Sequence, residues 1–293
     1  MSLDVRRGVS LARQTTIGTG GEATAFATPR SLEELEEALR WADAEGLAVA
    51  VVGLGSNVLA PDEGVDALVL RLSGELAEAR ADDGLLVAGG GATNAVCLHR
   101  ARAAGLGGLE FACAIPGTAG GGVRMNAGAY GSDWAAILER ALVVTAHGAA
   151  WATPGDLGLS YRHSDLRSGQ VVAQVEYRLH PRPAAEIKAE VAELVARRKA
   201  TQPTTKRTFG SVWKNPPGEL GAGRMLELCG LKGFRVGGAL VSPMHANFVE
   251  NAGGATSADC LAVMAESRRR AREEFGVELE HEVVFLGDLD LPG

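Results

Sequence analysis

Residues 115–131 read Ile115-Pro116-Gly117-Thr118-Ala119-Gly120-Gly121-Gly122-Val123-Arg124-Met125-Asn126-Ala127-Gly128-Ala129-Tyr130-Gly131. Seven glycines fall from Gly105 to Gly122, and two more follow by Gly131. A plain surface loop does not need so many. A backbone that packs against a flat, extended ligand does, because glycine has no Cβ to hold the ligand away. A second segment, Gly53-Leu54-Gly55-Ser56-Asn57, follows the short apolar run Leu47 to Val52. Consecutive amides and a serine hydroxyl there can cradle phosphate oxygens. Neither segment is the dinucleotide fingerprint G-x-G-x-x-G or the phosphate loop G-x-x-x-x-G-K-[ST]. Two separated glycine-rich segments fit a dinucleotide held between two α/β units.

Around these segments the pattern predicts an α+β protein. Ser31-Leu32-Glu33-Glu34 is a capping box that starts a helix with apolar Leu32, Leu35, Leu39 and Ala42, ending at Gly46. Strands at Leu47–Val52 and Ala67–Leu72 complete a first α/β subdomain over residues 1–75. A second, over 76–182, has a strand at Leu85–Ala88, a helix at Thr93–Ala104, a hairpin around His147-Gly148 and a strand at Val171–Leu179. Pro181-Arg182-Pro183 marks the boundary to a C-terminal α/β domain over 183–293. Its pattern gives helices at Ala184–Ala200, Met225–Cys229 and Ser257–Phe275. Strands are expected at Val236–Val241, Asn247–Glu250 and Val277–Leu286, with a turn-rich stretch from Pro203 to Gly223.

Composition narrows the function classes. The chain has 293 residues, 46% hydrophobic and 22% charged, enough to bury a large core without staples. The formal net charge is −7, and the one dense basic cluster, Arg268, Arg269, Arg270 and Arg272, lies on a helical pattern. Nucleic acid is therefore not the expected partner. No apolar run approaches the ~20 residues of a membrane span, and no secretory leader is visible. The four cysteines (97, 113, 229, 260) show no metal spacing and read as thiols in a reducing compartment. A cytoplasmic, monomeric protein without metal, acting on small molecules, is expected.

Three further segments carry chemistry-bearing residues. Gly210-Ser211-Val212-Trp213-Lys214-Asn215-Pro216 places a hydroxyl, an ammonium and an amide within five residues. Taken blindly it is a turn with Ser211 as a local cap, since no histidine adjoins Ser211 to activate it. Arg162 in Tyr161-Arg162-His163-Ser164 reads equally as a surface ion-pair partner. Glu282 in Leu279-Glu280-His281-Glu282-Val283 reads as a solvated strand position. Only six asparagines occur; three of them (57, 126, 215) fall in these segments and two more (247, 251) in His245-Ala246-Asn247-Phe248-Val249-Glu250-Asn251.

Together the segments resemble the UDP-N-acetylenolpyruvoylglucosamine reductase family over essentially the whole chain. The carriers are Thr15 to Ala23, GLGSNVL at 53–59, IPGTAGGGVRMNAGAYG at 115–131, YRHS at 161–164 and GSVWKNP at 210–216. CGLKG at 229–233, HANFVEN at 245–251 and LEHEVVFLG at 279–287 complete them. The glycine-rich pair is common to flavin oxidases of the same fold; GSVWKNP and LEHEV are much narrower. The entry segment at Ile17–Gly21 and His281, where proline is commoner, depart from the family pattern. No room exists for the extra substrate-capping loop of one branch, so the chain is similar to the shorter branch.

The resemblance implies two α/β subdomains forming a FAD-binding domain of the vanillyl-alcohol-oxidase type, and a C-terminal substrate domain. It implies FAD and NADPH as cofactors. FAD would be held by Gly53, Leu54, Gly55, Ser56, Asn57, Val58 and Leu59, and by Pro116, Gly117, Thr118, Gly120, Gly121, Asn126, Gly128 and Ala129. Ser211 would protonate the substrate carbon after hydride transfer, with Arg162 and Glu282 stabilising the charge. Tyr161, Lys214, Asn215, Lys232 and His245 would face the UDP-sugar. A FAD-dependent sugar or alcohol oxidase is the first alternative, and a non-catalytic flavin or nucleotide module the second. The oxidase has no reason to hold GSVWKNP and LEHEV together, and the module would tolerate loss of Ser211, Arg162 or Glu282, yet all three are present.

Overall fold

The computed structural model describes residues 4–292. Strands β1 (Val5–Arg6), β2 (Val9–Ser10) and β3 (Glu22–Ala27) precede helix α1 (Leu32–Ala44). β4 (Ala48–Val51), β5 (Val58–Leu59), β6 (Val65–Leu70), β7 (Ala79–Asp82) and β8 (Leu85–Gly89) lead to α2 (Asn94–Ala103). The glycine-rich stretch contains β9 (Leu106–Gly107), α3 (Ala119–Arg124), β10 (Gly128–Ala129) and β11 (Ser132–Asp133). β12 (Leu138–Thr145), β13 (Gly148–Ala152), β14 (Val171–Arg178) and β15 (His180–Pro181) run up to α4 (Ala184–Thr201). The remainder is β16 (Thr208–Ser211), α5 (Ala222–Leu228), β17 (Arg235–Val236), β18 (Ala239–Val241), β19 (Phe248–Asn251), α6 (Ser257–Phe275) and β20 (Val284–Phe285).

The chain packs as two compact units that do not follow chain order. The first comprises the described residues through Arg7 with Ala25–Leu54 and Ala67–Arg198; the second comprises Gly8–Thr24, Gly55–Asp66 and everything from Lys199 on. The linear division expected at residues 75 and 182 follows sequence pattern, whereas the compact units follow packing. α4 shows the difference. Its Ile187 is buried and its Val191 packs against the core around Trp134, so this helix is contained in the first unit as far as Arg198.

The first unit has a sheet ordered β1-β3-β6-β4, with β4 parallel to β6. It also has a wholly antiparallel sheet ordered β13-β12-β14-β8-β7. β14 is the central strand of the second sheet and is covered on both faces. Val172, Val175 and Tyr177 join the core with α2 and Trp134, while Val171 and Ala173 join the core with α1. Burial on both faces explains why its first three residues, Val171, Val172 and Ala173, are all apolar rather than alternating. α1 starts at Ser31, whose Oγ accepts the Glu34 amide. The Glu34 carboxylate accepts the amide of Arg30, one residue before the position a capping box would give it.

The second unit is built on the antiparallel order β16-β19-β18-β17, packed around Phe209, Trp213, Leu226 and Met264. α6 spans the residues its pattern predicts. Thr256 and Asp259 form a reciprocal capping box, and both Asp62 carboxylate oxygens accept its first amides, from Ser257 and Ala258. Three stretches depart from the sequence expectation. Val236–Val241 is a hairpin, because Gly237 at φ +51° turns the chain between β17 and β18. β16 occupies part of the turn-rich stretch. Within Val277–Leu286 only β20 is a regular strand, pairing parallel with β5. Among the described residues no helix is long and apolar enough to cross a membrane.

Candidate active site

In the first unit the two glycine-rich segments meet. β4 delivers the chain to Gly53, and a Cβ there would stand 2.7 Å from Thr118 Oγ1, so only glycine allows this approach. Thr118 in turn caps α3, its Oγ1 accepting the Gly121 amide. The Arg71 guanidinium, on the segment after β6, donates from Nε and Nη2 to the Gly53 carbonyl at 3.1 and 2.8 Å. Burial holds its pKa below the ordinary arginine value, and no ion pair is present at it among the described residues. Asn94, at the start of α2, donates from Nδ2 to the Ile115 carbonyl at 2.9 Å, and its amide donates to the Gly117 carbonyl. Its buried Oδ1 has no hydrogen-bond partner.

Arg162 stands at the tip of a two-residue turn closed by reciprocal backbone bonds between Ser160 and His163, with φ +54°. Its Nη2 donates to the Gly128 carbonyl at 2.6 Å, and its guanidinium lies over the Tyr161 ring at 5.1 Å. Asn126 organises this corner. Its Nδ2 donates to the Ser160 carbonyl at 2.8 Å and to Asp133, and its Oδ1 accepts the Ala135 amide. Ser164 Oγ ties the turn to the Arg124 carbonyl at the end of α3. The structure therefore brings Arg162 and Tyr161 to the Gly128–Ala129 part of the glycine-rich stretch. Pro116 and Gly121 are exposed, and Gly117, Gly120, Gly128 and Ala129 are partly exposed. The Asn126 side chain is buried in bonds to the protein itself.

The second unit holds the rest of the first glycine-rich segment, from Gly55 to Leu59. Gly55 accepts from the amide and hydroxyl of Thr16. Asn57 donates from Nδ2 to the Glu282 carbonyl at 2.7 Å, and its carbonyl accepts the Val284 amide at 3.0 Å. Val58 and Leu59 are buried in the β5–β20 pairing. A Cβ on Gly210, at φ +82°, would stand 3.2 Å from the Ser56 carbonyl, so Ser56 adjoins the segment that carries Ser211.

From Ser211 the chain runs as one rung of a ladder. The Glu282 amide donates to the Val212 carbonyl at 2.8 Å, and the Lys214 amide donates to the Glu280 carbonyl at 2.9 Å. Trp213 and His281 face each other as an antiparallel bridge. Residues 211 and 282, far apart in sequence, thus have a fixed register. The Lys214 ammonium pairs with Glu280 at 2.5 Å and Lys232 with Glu227 at 2.8 Å. Asn215 Oδ1 accepts the Ala222 amide at the start of α5. His245 is half-buried against Phe248. Burial, then the Lys232 charge, push its pKa below the ordinary value, and its Nδ1 accepts the Asn247 amide, leaving the proton on Nε2.

Sequence reasoning did not single out Arg71, which looks like any strand-end arginine, or Asn94. Asn247 was marked only by the scarcity of asparagine and by its place in HANFVEN, neither of which gave it a role. For a flavin dinucleotide the donor set is suitable. A half-buried guanidinium without a carboxylate fits an anionic group, the bare backbone of 53–57 and 117–121 fits close approach, and the unpartnered Asn94 oxygen offers an acceptor. Among the described residues no three His, Cys, Asp or Glu side chains are grouped to hold a metal.

Comparison with known proteins gives the family of the chain. Residues 23–153 match the model of a FAD binding domain, and residues 202–286 match the C-terminal domain of UDP-N-acetylenolpyruvoylglucosamine reductase. The chain is 44% identical over 285 residues to UDP-N-acetylenolpyruvoylglucosamine reductase 2 of Symbiobacterium thermophilum, covering 97% of this chain and 92% of that one. It is 41% identical over 289 residues to the reductase of Myxococcus xanthus, covering 97% and 93%. The crystal structure of UDP-N-acetylenolpyruvylglucosamine reductase from Thermus caldophilus superposes with a TM-score of 0.84 at 38% identity, covering 97% and 99%.

Proposed function

The chain belongs to the UDP-N-acetylenolpyruvoylglucosamine reductase family, and from that premise we propose how it works. It uses NADPH to reduce the enolpyruvyl ether of UDP-N-acetylenolpyruvoylglucosamine to UDP-N-acetylmuramate, with Ser211, Arg162 and Glu282 at the reacting carbons. FAD, which the backbone of 53–57 and 117–121 would hold, would supply the hydride for the terminal methylene carbon of the enolpyruvyl group. The electrons of the carbon–carbon double bond then move toward the neighbouring carbon and its carboxylate. Arg162 stabilises that charge through a guanidinium already oriented by the Gly128 carbonyl. Ser211 Oγ gives its proton to the carbon, and solvent returns a proton to the serine. A strongly basic enol carbon needs a donor rather than a base, which is why a serine without an adjacent histidine suffices. Glu282 helps to stabilise the enol form. Lys214, Asn215, Lys232, His245 and Tyr161 bind the UDP-sugar.

One observation supports this reading above the others. The two segments that no generic flavin oxidase needs, GSVWKNP and LEHEV, form one backbone ladder with a 2.8 Å bond from the Glu282 amide to the Val212 carbonyl. The test is anaerobic. The flavin is reduced with NADPH, UDP-N-acetylenolpyruvoylglucosamine is added, and the flavin absorbance is followed in the wild type and Ser211→Ala. Fast reoxidation in the wild type, slowed about 10²-fold or more in the variant, is expected. Reduced flavin that the UDP-sugar never reoxidises would overturn the substrate, and an unslowed Ser211→Ala would overturn the acid.

A further inference from the structure

We propose that Asn247 is a positioning residue for this reaction: its carboxamide stands in for a missing strand and holds the Ser211–Lys214 segment in register with Glu282. The inference rests on the roles proposed above for Ser211 and Glu282. β16 pairs with β19 only as far as Ser211 opposite Phe248, and the pairing is already irregular between Thr208 and Ser211. Past that point the chain would leave the sheet with its peptide groups unpaired on one side. Asn247 meets them. Its carbonyl accepts the Val212 amide at 2.9 Å, its side-chain Oδ1 accepts the Trp213 amide at 2.9 Å, and its Nδ2 donates to the Trp213 carbonyl at 2.9 Å.

Both sides of the segment are thereby occupied. The Val212 carbonyl and Lys214 amide face Glu282 and Glu280, while the Val212 amide and both polar groups of Trp213 face Asn247. The carboxamide is buried at 6% exposure, so water does not compete for these bonds. A donor and an acceptor on one short, rigid side chain are what a peptide group requires, and a carboxamide presents them as a separate oxygen and nitrogen in one plane, as another peptide group would. Asn247 is itself held, its amide donating to His245 Nδ1. A slip at Trp213 would displace the adjoining Val212 carbonyl that fixes Glu282 and, one residue further, Ser211. Misplacing a reacting group by about 1 Å costs on the order of 10²-fold in rate.

The experiment uses the FAD-loaded protein with Asn247→Leu, which removes both bonds at similar volume, and Asn247→Asp, which keeps the acceptor for the Trp213 amide. Photoreduced flavin is mixed anaerobically with UDP-N-acetylenolpyruvoylglucosamine, in ordinary and heavy water, and amide exchange at Trp213 is measured alongside. Expected for Asn247→Leu are kcat lower by about 10²-fold, KM within about threefold, a larger solvent isotope effect, and faster exchange at Trp213 but not at Leu226. Asn247→Asp is expected to lie between Leu and wild type in Trp213 exchange. Unchanged kcat and isotope effect, a loss confined to KM, or failure of both variants to fold and hold flavin would each overturn the proposal. Failure of the underlying reading looks different: wild-type flavin is not reoxidised, or Ser211→Ala is as fast as wild type, while the Trp213 exchange result stands.

Discussion

A Cβ on Gly53 would stand 2.7 Å from Thr118 Oγ1 and 2.9 Å from Thr118 Cγ2. The residue that opens one glycine-rich segment thus packs against a residue inside the other, and Thr118 is at the same time the cap of α3. Gly53→Ala is expected to push Thr118 off this position. Overpacking of this kind costs about 1–3 kcal/mol, and loss of the cap about 1 more. The backbone proposed to hold FAD moves with it, so FAD affinity should fall by about tenfold or more. Titration of apoprotein with FAD, followed by quenching of flavin fluorescence, measures this. An unchanged dissociation constant would show that the Gly53–Thr118 contact does not shape the flavin site.

Arg71 offers a separate handle on the same loop. Its guanidinium spends two bonds on one neutral carbonyl and no ion pair is present at it among the described residues, an arrangement that costs desolvation unless an anion completes it. Arg71→Met is expected to weaken FAD binding by ten- to a hundredfold and to flatten the salt dependence of that binding. Arg71→Lys should recover the charge but not the paired bonds, giving an intermediate affinity. Titrations at two salt concentrations check both. A salt slope identical in wild type and Arg71→Met would remove Arg71 from the flavin site.

How far the sequence alone reaches is clearest from residue pairs. α6 was legible to the residue, because a threonine cap, a 3.6 period and a closing glycine all lie within one local window. The glycine-rich segments were legible as places of close backbone approach, because glycine has few other uses at such density, and Gly53 against Thr118 is such an approach. What stayed hidden depends on partners distant in the chain. Asn57 reads as part of a phosphate loop, yet its side chain reaches Glu282, 225 residues away, and braces the segment carrying that carboxylate. β16 was masked by the prolines and glycine around it, since its pairing with β19 is set by tertiary contacts rather than by its own pattern. The two-unit packing was illegible for the same reason: residues 8–24 and 55–66 carry no local sign that they belong with the C-terminal third.

Stability should depend on pH through His245 and His281. Both rings are half-buried, and burial lowers both pKa values below the ordinary 6.5. The unfolded chain therefore takes up protons first as pH falls. The stabilisation from the neutral rings is fully present above about pH 7 and is lost as pH drops through 6.5 toward the lower folded values. Carboxylates held below their ordinary range, Asp259 by backbone amides and Glu266 at about 2 by Arg269, lose their contribution only at lower pH. Urea midpoints at pH 7.5, 6.5 and 5.5 should thus decline in wild type. In His245→Asn/His281→Asn, which keeps an acceptor for the Asn247 amide and a donor for the Val283 carbonyl, the decline should be shallower. An equal slope would assign the pH dependence to other groups.

The four thiols give a readout of local opening. Burial pushes Cys97 and Cys260 up to about 12, and both lie in the apolar cores. At pH 8 the thiolate fraction of either is on the order of 10⁻⁴, and the thiolate is the reactive form. Cys113 and Cys229 are also raised by burial, but they are only partly covered, and the Arg198 charge beside Cys113 opposes the rise. Iodoacetamide at pH 8 should therefore modify Cys113 and Cys229 while leaving Cys97 and Cys260 untouched, as read by peptide mass spectrometry. Adding urea below the unfolding midpoint should bring Cys260 and Cys97 into reaction only as their units open, at rates that track the open population. Labelling of Cys97 or Cys260 in the native protein as fast as Cys229 would contradict the packing of the core that holds it.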